Sequence, residues 1–132
     1  MRMRLLLLII TAITIVSCND ARKSKTYRVL EDVDSYIEAR PDSALAVLEG
    51  IDVEDLGSRE EKAKYALLMS MALDKNYIDR TDFEVLQPAI DYYENHGSAT
   101  DKLRTFYYQG RIYCNRGESE EAMECLDRKS TR

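Results

Sequence analysis

Apolar residues recur along this chain at helical spacing, three and four positions apart. Leu30, Val33 and Ile37, with Tyr36 beside them, make one stripe over Tyr27 to Arg40 and predict a first helix. Arg40 precedes Pro41, which biases it out of helix. Asp42 is the expected cap of a second helix through Ala44, Leu45, Val47 and Leu48, stopped by Gly50. Asp52 to Gly57 is a polar connector. Ser58 with Glu61 reads as a capping box for a long helix reaching about Asn76. Its predicted stripe is Ala66, Met69, Leu73 and Tyr77, with Ala72 beside it. Thr81 with Glu84 reads as another capping box, followed by Phe83, Leu86, Ala89, Ile90 and Tyr93 up to Gly97. Pro88 inside that run predicts a kink or a later true start.

Leu103 to Leu126 is the most ordered stretch, "LRTFYYQGRIYCNRGESEEAMECL". Leu103, Phe106, Tyr107, Gly110, Tyr113 and Cys114 fall at helical spacing and predict one face. Gly110 is costly inside a helix unless a neighbouring backbone comes close. Gly117 is a C-terminal stop, and Glu118, Glu120 and Glu121 load the first turn of a following helix. Ala122 is small enough to lie on Gly110, with Leu126 packing near Tyr113 one turn on.

This order of landmarks resembles a tetratricopeptide repeat, a helix–turn–helix unit of about 34 residues. Phe106, Gly110, Tyr113, Gly117, Ala122 and Leu126 stand where that repeat places its aromatic, small, turn and apolar residues; Gln109 departs from its usual Leu. Aligned on this hairpin, Leu68 matches Phe106 and Ala72 matches Gly110. Ala44, Ala89 and Ala122 each precede a large residue by four, at steps of 45 and 33, so the array is irregular. The resemblance implies an all-α fold over residues 28–128, antiparallel hairpins stacked as a short solenoid of about six helices. In that family the first helix of each repeat lines a binding groove. By carry-over the groove residues are Arg104, Tyr107, Arg111, Cys114 and Asn115, preceded by Ala66, Met69, Leu73 and Asn76. Two arginines and a tyrosine on one face suit a carboxylate, an acidic peptide or a sugar, and they also suit plain solvation with Tyr107 in the core.

The first residues carry a different signal. Arg2 and Arg4 precede a weakly polar-to-apolar run of twelve residues, Leu5 to Val16. A spanning helix needs about 20. "IVSC" at 15–18 resembles a bacterial lipobox, which implies a signal peptide over 1–17 and diacylated, then N-acylated, Cys18 as the first mature residue. Two or three acyl chains anchor firmly where one does not. An ordinary secretory signal and a short membrane anchor are the alternatives. Residues 18–27 read as a polar tether, its Arg22, Lys23 and Lys25 solvated or touching anionic headgroups. The resemblance to Gram-negative lipoproteins implies the cell envelope, and the lack of an acidic run directly after Cys18, a feature of some surface-exported relatives, leans the expectation to the periplasmic side.

Composition narrows the function. Net charge is −5, and without Arg2 and Arg4 it is −7, which is no nucleic-acid footprint. His96 is the single histidine, beside Gly97 at a helix end, and reads as a solvated cap. No nucleophile, base, phosphate loop or metal-ligand spacing is evident, so the expectation is a non-catalytic protein without cofactor or metal. Cys114 and Cys125 straddle Gly117 at different heights, which favours free thiols over a disulfide, since pairing needs Cα atoms within about 7 Å. After Leu126 only "DRKSTR" follows, 129–132 being a polar tail, so no further helix caps the last hairpin. The expectation is a truncated copy of a longer lipoprotein. Its function reads as an envelope scaffold binding a protein or peptide; the alternative is the ligand- or glycan-binding input domain of a longer regulatory lipoprotein.

Overall fold

The structure, a computed structural model, describes residues 23–130; the expected signal segment and Cys18 lie outside the described residues. Six α-helices follow one another: α1 (Lys25–Tyr36), α2 (Pro41–Glu49), α3 (Arg59–Lys75), α4 (Gln87–Tyr93), α5 (Ala99–Arg116) and α6 (Ser119–Ser130). There is no strand among the described residues. The helices pair in chain order as α1/α2, α3/α4 and α5/α6, and α3 touches α1, α2, α4 and α5. That central position explains why α3 is buried on most of its sides: Ala63, Ala66, Leu67, Leu68, Met71 and Ala72 are buried, and so are Glu61, Lys64 and Ser70. Leu30, Val33 and Ile37 from α1, Ala44 and Leu48 from α2, and Leu86, Ala89 and Tyr93 around α4 complete the core.

Serine starts the first helix of each hairpin. Ser24, Ser58 and Ser98 accept from the backbone N–H of Tyr27, Glu61 and Asp101, satisfying donors that the first turn leaves bare. Ser58 stands 34 residues after Ser24, and Ser98 40 after Ser58. These steps set the true register of the repeats. Ser70, not Ala72, is therefore the counterpart of Gly110, and Ala66, not Leu68, that of Phe106. The carry-over in the sequence reading was two residues out of step because it matched small residues rather than caps.

Several local expectations are corrected. Arg40 precedes α2 with no side-chain cap, and Pro41 opens the helix; Asp42 sits in the first turn. Asp82, not Thr81, accepts from the Glu84 N–H at 3.0 Å, and α4 starts late, at Gln87 beside Pro88. Glu61 reaches back past its cap to the Gly57 N–H at 2.9 Å and takes the Ser24 hydroxyl at 2.5 Å. α1 thus begins inside the stretch read as tether, and Tyr27 adds a hydrogen bond to Glu60 at 3.1 Å. Tyr27 is pushed up to about 12 by burial and then by Glu60.

α5 buries Thr105, Tyr108, Gly110 and Ile112, a different face from the stripe expected. Leu103, Phe106, Tyr107 and Tyr113 are only partly buried, and Cys114 is exposed. The crossing with α6 is as close as Gly110 suggested. A Cβ on Gly110 meets the Ala122 carbonyl oxygen, Cys125 Cβ and Leu126 Cγ, each at 3.5 Å. Leu126 itself is 39 % exposed. Cys114 and Cys125 are free thiols.

α3 and α5 end in the same way. The Gly117 N–H reaches Cys114 O and the Glu118 N–H reaches Tyr113 O; the Tyr77 N–H reaches Asp74 O and the Ile78 N–H reaches Leu73 O. Both are Schellman ends with a left-handed residue at the turn. Gly117 takes φ +78° freely, whereas Tyr77 is held at φ +62°. Tyr77 is 93 % exposed, so it ends the helix and leaves the core stripe to which periodicity assigned it.

Candidate interaction groove

The first helices of the three hairpins, α1, α3 and α5, lie side by side and are joined by charge. Asp34 of α1 accepts from Lys64 of α3 at 2.5 Å and from Arg104 of α5 at 2.8 Å. Asp101 approaches the same two cations at 3.5 and 3.8 Å. Lys64 is nearly buried, with 10 % of its side chain exposed, so this ring is a fixed part of the fold. Burial pushes the Asp34 carboxyl up, but the Lys64 and Arg104 bonds and charges outweigh it and hold it below the usual carboxylate range.

Beside the ring lies a groove of about 330 Å³. Met71, Asp74 and Lys75 line one wall; Thr100, Leu103, Arg104, Tyr107 and Tyr108 line the other, with Glu38 at the end. Tyr107 and Tyr108 meet edge to face at 5.0 Å. Burial and then Asp74 push the Tyr108 phenol up, so it stays protonated and able to donate. Lys75 pairs with Glu38 at 2.6 Å. Arg111 donates to Asp74 at 2.9 Å, and that bond pushes the guanidinium's pKa up.

Among the residues expected in the groove, Arg104 and Tyr107 are there. Arg111 and Asn115 line a neighbouring cavity of about 20 Å³, with Asp74, Arg80 and Ile112. There the Arg80 Nε is buried without a hydrogen-bond partner. Asn115 donates to Arg80 O at 2.9 Å and Arg116 to Thr81 O, so the end of α5 straps the loop before α4. Asn76 is not a groove residue: its side chain donates to Pro41 O and Ala72 O, pinning the start of α2. Ala66 is core. Lys64, Met71 and Lys75 are the α3 residues that the serine register places opposite Arg104, Arg111 and Asn115. The signal that finds them is the cap spacing; their acidic partners, 30 to 70 residues away in sequence, carry no local mark.

The groove is therefore electrically balanced. Lys75 and Arg104 line it with Glu38 and Asp74, two against two, and both cations are already paired, Lys75 with Glu38 and Arg104 with Asp34. A free carboxylate gains little from cations already paired, so the acidic-ligand reading of Arg104 and Arg111 loses its basis. What remains open is an apolar and aromatic surface flanked by polar pairs. Among the described residues no group of three or more His, Cys, Asp or Glu is placed to hold a metal ion. No described helix is long and apolar enough to cross a membrane. No protein-family model, curated protein or solved structure matches the chain.

Proposed function

We propose that this chain is a membrane-anchored, non-catalytic scaffold of tetratricopeptide type that binds a polypeptide in the groove between α3 and α5. The observation that carries the reading is the groove itself: α3 and α5 form its two walls, Glu38 from the turn after α1 closes its end, and its charges are balanced. Such a surface suits a chain with mixed side chains rather than a small anion. Met71, Leu103 and Tyr107 offer apolar and aromatic contact, and the ion pairs at the rim offer hydrogen bonds. The anchor belongs to the same proposal through the lipobox-like "IVSC" ahead of Cys18. Because α1 starts at Lys25, only a few residues separate that cysteine from the folded domain.

The test is a photo-crosslinking amino acid in the full chain, placed in turn at Lys75 in the groove and at Ser43 on the exposed side of α2. Expression is in a Gram-negative envelope. A discrete protein adduct from position 75 and none from position 43 is expected. Equal adducts from both, or none from either, overturn the groove.

A further inference from the structure

Charge divides this chain unevenly. Residues 19–28 hold Arg22, Lys23, Lys25 and Arg28 against Asp20, a net +3, whereas the 104 residues from Val29 to Arg132 hold 13 basic and 23 acidic residues, −10. The folded part of the basic stretch is the start of α1. Lys25 and Arg28 lie three apart there, so they share a face, and both are exposed. Neither has an ion-pair partner among the described residues. One turn on, the exposed flank becomes acidic with Glu31 and Asp32. The first turns of α2, α3, α5 and α6 carry carboxylates, which suit the positive end of a helix; α1 has none and opens on Lys25. Lys25 is thus unfavourably placed within the fold, and nothing described in the fold answers it.

We infer that Lys25 and Arg28 rest on anionic lipid headgroups and orient the domain with the start of α1 toward the bilayer, an inference that rests on the proposed anchor at Cys18. Two observations select a lipid surface. The first is reach: five residue steps separate Cys18 from Lys23, at most about 18 Å. Lys23 and Ser24 are already fastened to the fold. Lys23 donates to Glu31 at 2.7 Å and lies 4.9 Å over the Tyr27 ring, and Ser24 donates to Glu61 at 2.5 Å. The second is charge. An anionic surface draws the cations nearest the anchor and repels the acidic remainder, and because salt screens beyond about 8 Å, the nearest charges decide the orientation.

This orientation bears on what the groove can meet. α1 and α3 run parallel, since Ser24 meets Glu61 at their starts and Glu38 meets Lys75 at their ends. Met71 and Lys75 lie roughly 18 and 24 Å along α3 from Arg59, at 1.5 Å per residue. That wall of the groove is held away from the bilayer, so the polypeptide it meets is in the aqueous phase.

The test uses the full chain extracted from membranes, its acyl mass on Cys18 read by intact mass spectrometry. It is placed in phosphatidylcholine vesicles with about one-third phosphatidylglycerol or with none. A fluorescent amino acid stands at position 59, at the start of α3, or at position 39, just past the end of α1, both exposed. Energy transfer to a headgroup dye reads the height of each. On anionic vesicles position 59 is expected to lie nearer the headgroups than position 39, by up to about 18 Å, the length of α1. The difference is expected to vanish on neutral vesicles and in K25E with R28E. Circular dichroism of that variant is expected to be unchanged, because carboxylates suit the first turn of α1. Equal heights in the acylated chain overturn the inference and leave the anchor standing. So does a height difference indifferent to K25E with R28E or to the anionic lipid. A chain without acyl mass on Cys18 overturns the anchor and this inference with it.

Discussion

Replacing Gly110 by alanine is expected to stabilise the domain, and replacing it by valine to destabilise it. Gly110 is buried in the middle of α5, where α6 crosses. The nearest atoms to a new Cβ are at 3.5 Å, an ordinary contact distance, so one methyl fits without moving either helix. Alanine then gains the helix propensity that glycine lacks, about 1 kcal/mol. Valine carries two further carbons into a wall made of the Ala122 carbonyl, Cys125 and Leu126. Overpacking of this kind costs about 1–3 kcal/mol, which exceeds the propensity gain. Urea unfolding followed by circular dichroism reads both changes, and a gain of about 1 kcal/mol raises the melting temperature by about 4 °C in a domain of this size. A destabilised G110A refutes the reasoning, because it means that the backbones touch more closely than described. A stabilised G110V refutes it in the other direction, because it means that α6 does not lie on Gly110 at all.

Acid should weaken the fold through Asp34. Its folded pKa is depressed, so the stability it adds is fully present above its unfolded value of about 3.9 and is lost as pH falls through the folded value. Denaturant midpoints measured between neutral pH and pH 3 should therefore fall below about pH 4, and D34N should flatten that part of the curve. An identical slope in D34N contradicts the ion ring with Lys64 and Arg104. Tyr77→Gly should raise stability by about 1 kcal/mol, because it relieves a left-handed tyrosine whose side chain touches little. A loss of stability in the thermal melt shows instead that the Tyr77 ring is held by a contact.

Much of the fold was legible because its boundaries are written in local chemistry. Ser58 capped the helix it was expected to cap, Gly117 ended α5 in the left-handed region, and Pro88 marked a late start. Leu30, Val33 and Ile37 formed the core stripe that their spacing required. Register was harder. Small residues occur both at helix crossings and in ordinary core positions, so Ala72 was matched to Gly110 while the serine caps held the real period. The face of α5 was hard for another reason. "LRTFYYQGRIYC" is apolar on most sides because α3, α4 and α6 all approach it, and periodicity cannot then choose Tyr108 and Ile112. Tyr77 matched the stripe and was misplaced because a helix can end two residues before its pattern does. In the groove, Arg104 and Tyr107 were found by alignment, but the neutralising carboxylates were not. Asp34 meets Arg104 only after the chain has folded across 70 residues.

The most direct test of the scaffold reading is the affinity of the polypeptide that crosslinks at Lys75, measured by calorimetry for the full chain and for K75A with Y107A. These changes remove groove contacts and leave the core residues Tyr108 and Met71 in place. At least a tenfold loss of affinity is expected, about 1.4 kcal/mol, with helical content unchanged. Unchanged affinity in the variant contradicts a function carried by the groove between α3 and α5.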